Sequence, residues 1–239
     1  MTESGENEAS LHFASGIEEA YHILKNPDNL RKERVRELYE RWSLDYDKDV
    51  QKVNFYPYIK AGIVIAEHCH DKNVSILDCG AGTGLVGEQL RSLGYTNIVG
   101  LDISQNCLNV AEKKGVYKKL ICDEVGDQRM PFDDDEFDVL VCSGCIAPAH
   151  ISPTCFPEWV RIIKPGGRVV IVMRRCYIEL LKGEEEYFSQ TLKEMFDTSV
   201  RDLEESKKWE VVTREVFAGF LEGGGHEKSD GIVLVFKIL

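Results

Sequence analysis

Residues 74–87 read Val-Ser-Ile-Leu-Asp-Cys-Gly-Ala-Gly-Thr-Gly-Leu-Val-Gly, and this stretch restricts the chain more than any other. A short apolar run, Val74, Ile76 and Leu77, ends at Asp78. Gly80, Gly82 and Gly84 alternate behind it, and Leu85, Val86, Leu90 and Leu93 then recur at helical spacing. The pattern predicts a strand, a tight glycine turn and a helix. Such a turn brings bare backbone close to a bound molecule, because glycine has no side chain to hold it away. The free N–H groups of the helix's first turn point to the same place.

Strand patterns follow at 97–103, 118–122, 137–143 and 168–174, with helical patterns at 84–93, 104–114 and 154–163 between them. That alternation predicts parallel β-α-β units with helices on both faces of a sheet. Gly94 and Gly115 read as helix stops, and Ser104 as an N-cap. A long charged helix is expected over 184–207. Strand runs at 209–220 and 231–238 close the chain. The short glycine link between them, 222–227, predicts a hairpin and hence antiparallel pairing. Ahead of residue 74 lie helical patterns at 16–26, at 28–44 and from Pro57 to Ala66, with a polar stretch, Asp45–Val50, among them. The expected organisation is a disordered tail over 1–15, a helical cap over 16–72 and an α/β core over 73–239. Most of the cap's aromatic residues read as packing.

At 239 residues the chain is long enough for one full core. A formal net charge of −12 disfavours nonspecific nucleic-acid binding, which depends on neutralising phosphates with Lys and Arg. It suits a small or cationic ligand better. The polar, acidic first ten residues do not read as a signal peptide, and no apolar run nears the ~18 residues of a membrane span. A cytoplasmic protein (or a nuclear one), monomeric and without a membrane partner, is expected. The eight cysteines are scattered through apolar patterns and read as free thiols. Three acidic or Cys/His groupings invite a metal and are read otherwise. Cys142-Ser-Gly-Cys145 lacks a second pair, His68 and His70 are two apart on a helix and do not share a face, and Asp133-Asp134-Asp135-Glu136 reads as a solvated turn. No metal is expected.

The glycine turn admits two ligands. Gly82, Gly84 and Gly87 match G-x-G-x-x-G, with Asp102 about 20 residues on, which is a dinucleotide fingerprint. S-adenosylmethionine competes. Asp78 favours it, since a carboxylate there repels a pyrophosphate but suits an ammonium and a sulfonium. Ligands of open parallel sheets lie at the carboxyl ends of the strands. The expected contacts are therefore Asp78, Gly80, Gly82 and Leu85 around the first turn, with Asp102 accepting from the ribose hydroxyls and Ile103 packing on the adenine. Asp123 would accept from the adenine amino group, the Glu124 backbone N–H would donate to the ring, and Ser143 would lie under the sulfonium. His150, past the fourth strand, and His226, on the hairpin, are candidate bases for an acceptor that must lose a proton. Arg174 and Arg175 could hold an anionic substrate group.

Together, Ile76-Leu-Asp-Cys-Gly-Ala-Gly-Thr-Gly84, Val99-Gly-Leu-Asp-Ile103, Met130-Pro-Phe132, Phe137-Asp-Val139 and Ile163-Lys-Pro-Gly-Gly167 resemble the class I S-adenosylmethionine-dependent methyltransferases. Trp42-Ser-Leu-Asp-Tyr-Asp-Lys-Asp-Val50 and Lys114-Gly-Val-Tyr117 extend the likeness to the group of methyltransferase-like protein 27. The resemblance implies a Rossmann-like three-layer sandwich whose seven-stranded, mostly parallel sheet has order 3-2-1-4-5-7-6, with the last strand antiparallel. It also implies that Gly80, Asp102, Asp123 and Ser143 face the cofactor and that Tyr46 folds over it. The expected function is methyl transfer from S-adenosylmethionine to a small molecule or a protein. The fourth strand's Cys-Ser-Gly-Cys end lacks the sequence that grips a nucleobase amine. Two alternatives stand beside this: a noncatalytic module that binds the donor, and an NAD(P)-dependent oxidoreductase.

Overall fold

The computed structural model describes residues 15–25, 27, 30–223 and 226–239, with the side chains of 221–228 excepted. The expected disordered tail lies outside these residues apart from Ser15. Four helices precede the first strand: α1 (Gly16–Ile23), α2 (Lys32–Trp42), α3 (Tyr46–Lys52) and α4 (Pro57–His68). The core then runs β1 (Ile76–Cys79), α5 (Leu85–Ser92), β2 (Ile98–Asp102), α6 (Gln105–Lys114), β3 (Lys119–Cys122), β4 (Phe137–Ser143), α7 (Phe156–Ile162), β5 (Ile163–Arg174), α8 (Gln190–Glu205), β6 (Trp209–Gly223) and β7 (His226–Ile238).

The seven strands form one sheet in the order β3-β2-β1-β4-β5-β7-β6. β1 to β5 pair in parallel, and β7 runs antiparallel to both β5 and β6. The expected topology and the closing hairpin are both present. Alternation along the strands divides the core. Leu77, Leu140, Cys142, Ile171 and Leu234 face one way, onto Phe156, Trp159 and Phe196 of α7 and α8. Ile76, Val139, Val141, Val170 and Val235 face the other, onto Ala61, Ile65 and Leu90 of α4 and α5. A period of two on each strand thus makes a three-layer sandwich. α1, α2 and α3 build a separate apolar cluster around Ile17, Leu38, Trp42 and Val50, closed by Phe220 of β6.

The structure departs from the sequence reading at several element boundaries, β5 among them, since it starts at Ile163 and not at 168. The polar stretch at 45–50 is helical, because Trp42 Nε1 and Lys52 Nζ both donate to Asp49, which fixes a turn that has no apolar stripe of its own. α8 starts at Gln190 and not at 184. Ser189 caps it by accepting from the Leu192 N–H, while Glu184 is held by the buried Arg174. β7 begins at His226, five residues before the expected start, so the hairpin's paired region reaches Gly223 opposite His226.

Candidate active site

The carboxyl ends of β1, β2 and β4 open into a cleft roofed by α2 and α3. Tyr46, Gly80, Gly82, Leu85, Asp102, Ile103, Glu124, Ser143 and His150 all line it. Two expected contacts do not. Asp78 is fully buried beneath the glycine turn, where Tyr117 Oη donates to its Oδ2 at 2.6 Å. Asp123 is exposed at the end of β3 and accepts from the Glu124 N–H. His226 begins β7, and its side chain lies outside the described residues. Arg174 and Arg175 are occupied internally. Arg174 is buried, donates to Glu184 and stacks on Tyr187, and Arg175 donates to Glu179.

The three glycines of the literal G-x-G-x-x-G have separate tasks. A Cβ on Gly82 would meet nothing within 4 Å, so its bare backbone faces the open cleft. A Cβ on Gly84 or Gly87 would instead come within 3.1 Å or 2.4 Å of the Tyr117 ring. These two make room for the ring, whose hydroxyl accepts from the Gly87 N–H while it donates to Asp78. The last glycine of the apparent dinucleotide fingerprint therefore seats a tyrosine.

Asp102 ends β2. Its Oδ2 accepts from the Gly82 N–H and its Oδ1 from the Ser104 N–H, both at 2.8 Å, so it clamps the glycine turn to the start of α6. Burial raises its carboxyl, and those backbone donors oppose the rise. Across β1, Ser143 presents a buried Oγ with no hydrogen-bond partner among the described residues. An orphaned hydroxyl and a bare glycine on one cleft are places a ligand can satisfy and fill.

α3 is tied to the turn by charge. Asp47 accepts from Thr83 Oγ1 at 2.5 Å and from Lys114 Nζ at 2.6 Å, and Lys114 also reaches Glu88. Thr83, Asp47, Lys114 and Tyr117 all lie in the stretches that carry the resemblance, but no contact was expected of them individually. Glycines at 84, 87 and 100 all flank the Tyr117 ring.

Burial pushes the Asp78 carboxyl up to about 7, against the pull of the Tyr117 hydrogen bond. The folded chain holds this proton where the unfolded chain, with an ordinary carboxyl near ~4, has released it. Stability should therefore fall as pH rises between roughly 4 and 7, by ~4 kcal/mol at most. Asp78→Asn removes the charge and is expected to raise Tm relative to the parent more at pH 8 than at pH 5. Equal shifts at the two pH values would exclude a buried, raised carboxyl.

Among the described residues no group of three His, Cys, Asp or Glu could hold a metal ion, and no helix is long and apolar enough to cross a membrane. A family described as a methyltransferase domain matches residues 77–171. Human methyltransferase-like protein 27 is 29% identical over 175 residues, covering 72% of this chain and 67% of the human one. The demethylmenaquinone methyltransferase of Lactococcus lactis is 29% identical over 154 residues, covering 62% of this chain and 61% of its own. The structure of an S-adenosylmethionine-dependent methyltransferase from Aquifex aeolicus superposes with a TM-score of 0.51 at 16% identity, over 75% of this chain and 91% of that one, which is a likeness of fold. The chain thus carries a methyltransferase domain over residues 77–171, and over 72% of its length it is similar to methyltransferase-like protein 27.

Proposed function

We propose that the chain binds S-adenosylmethionine in the cleft at the strand ends and moves its methyl group to a small, neutral acceptor. The observation that carries the donor assignment is the pairing of the open Gly82 backbone with the clamped Asp102 and the orphaned Ser143 hydroxyl. Asp102 keeps lone pairs for the ribose hydroxyls, and the glycine turn admits the methionine backbone. We place Gly80, Gly82, Leu85, Ile103, the Glu124 backbone N–H and Ser143 at the donor, with Tyr46 above it. Asp78 acts from beneath, through the turn. The donor supplies a methyl carbon already activated by positive sulfur, so the protein's work is to align two partners and exclude water. α1 to α3 serve as the cap that does so.

The acceptor assignment rests on charge. Charged residues of the cleft lie on the β2–β3 flank: Lys32, Arg36, Asp102 and Glu124, with Lys32 paired to Glu124 at 3.1 Å. The β4 flank contributes Ser143, Gly144, Cys145, Ala149, His150 and Ile151, none of them acidic, Lys or Arg. A charged acceptor there would lose its hydration without gaining a counter-ion. A demethylmenaquinone methyltransferase among the relatives supports a small molecule. Cell extract incubated with the protein and methyl-labelled donor should carry label in the small-molecule fraction. Label confined to proteins would overturn the acceptor class, and donor binding with no labelled product would identify a noncatalytic module.

A further inference from the structure

We infer that His150 Nε2, positioned by Tyr39, accepts the proton of a neutral hydroxyl acceptor, so that the transfer is an O-methylation. The inference rests on the methyl-transfer reading above and deepens it. His150 Nδ1 lies 2.8 Å from the Pro148 carbonyl oxygen. A carbonyl only accepts, so Nδ1 carries the ring proton and Nε2 keeps its lone pair. Tyr39 Oη, from α2, stands 3.2 Å from Nε2 and donates to it. The two rings meet edge to face at 5.6 Å on the wall of the cleft. The tautomer and orientation of a base are thus set by the backbone on one side and by the cap on the other.

Burial lowers the imidazole's affinity for a proton, opposed by the Pro148 carbonyl, so the ring is neutral at physiological pH. The titratable side chains bearing on Tyr39 include Tyr46 of α3, Cys107 of α6, Cys145 past β4 and Tyr177 past β5, none of them acidic, Lys or Arg. On the uncharged β4 flank, His150 is the side chain suited to take up a proton. When the acceptor enters, its hydroxyl replaces Tyr39 as the donor to Nε2. In the transfer the acceptor's O–H bond breaks and its proton passes to Nε2. The oxygen's electron pair forms the bond to the methyl carbon as the carbon–sulfur bond breaks and its pair returns to sulfur. The positive charge moves from sulfur to the imidazole.

The test has two arms. Nitrogen-15 NMR of the whole chain, without donor, should show His150 as the Nδ1–H tautomer, titrating below the ordinary histidine range. Methyl transfer from labelled S-adenosylmethionine is then followed with 1-naphthol, catechol and hydroquinone as probes. His150→Gln should lower kcat/KM by about 100-fold or more while donor Kd, measured by calorimetry, stays within about threefold. Tyr39→Phe removes the hydrogen bond that favours the neutral ring, so the acid limb of its pH profile should move to higher pH. The Nε2–H tautomer, no transfer to any probe by a chain that binds the donor, or a His150→Gln rate within about fivefold of the parent would each overturn the inference. Failure to bind the donor at all would instead overturn the reading beneath it.

Discussion

Gly82→Leu is expected to abolish donor binding in a chain that still folds, whereas Gly87→Ala, a smaller change five residues on, should damage the fold. A side chain at 82 has open space before it and projects into the cleft. Its cost to the fold is the left-handed backbone at φ +53°, about 1–2 kcal/mol. Donor Kd should rise at least ~100-fold, since the space it fills is the space proposed for the methionine half. At 87 the added Cβ lies 2.4 Å from Tyr117 Cζ and 2.5 Å from its hydroxyl. The ring must move, and Asp78 then loses its donor inside the core. Overpacking and an unsatisfied buried carboxyl together cost about 3 kcal/mol. The two mechanisms separate in a double-mutant cycle. With Tyr117→Ala already in place, Gly87→Ala should cost nothing further. Additive losses of Tm would show that the glycine is not there to seat the ring.

Asp102→Ala should weaken donor binding by roughly 100-fold or more, from two losses at one site. The first is the proposed pair of bonds to the ribose hydroxyls, each worth about 1.5–3 kcal/mol when the acceptor is charged. The second is the clamp itself, since the Gly82 and Ser104 N–H groups both lose their acceptor. Asp102→Asn keeps one acceptor oxygen and should fall between the parent and the alanine variant. Calorimetry measures both, with circular dichroism to confirm folding. A Kd for Asp102→Ala within threefold of the parent would remove this residue from the site.

The sheet was legible because parallel β-α-β units write themselves as apolar runs separated by helical periods and glycine or proline stops. The hairpin was legible from Gly223 and its neighbours. The start of α8 was not. Residues 184–188 have helix-compatible composition, but Arg174 holds Glu184 and Ser189 caps α8 behind them, with only a short 3-10 turn at Glu185–Tyr187. In the same way α3 depends on Asp49 binding groups on both sides of it, which no local pattern records.

At the site, residues on strand ends could be placed in the cleft because topology alone brings β1, β2 and β4 tips together. Asp78 shows the limit of that reasoning. It is the last polar residue before the turn, yet its side chain points beneath the turn, to a tyrosine 39 residues away in sequence. Asp123 directly follows β3 but turns to its own neighbour's backbone. Tyr39 is one of the cap aromatics that read as packing. Its hydroxyl is what distinguishes it, and His150, the partner of that hydroxyl, is 111 residues further on.

Calorimetry of the whole chain with S-adenosylmethionine and, separately, with NAD⁺ and NADH tests the central assignment most directly. Saturable binding of S-adenosylmethionine, lost in Gly82→Leu and in Asp102→Ala, with no heat from either nicotinamide cofactor, is the predicted result. Binding of NAD⁺ or NADH with none of S-adenosylmethionine would contradict it.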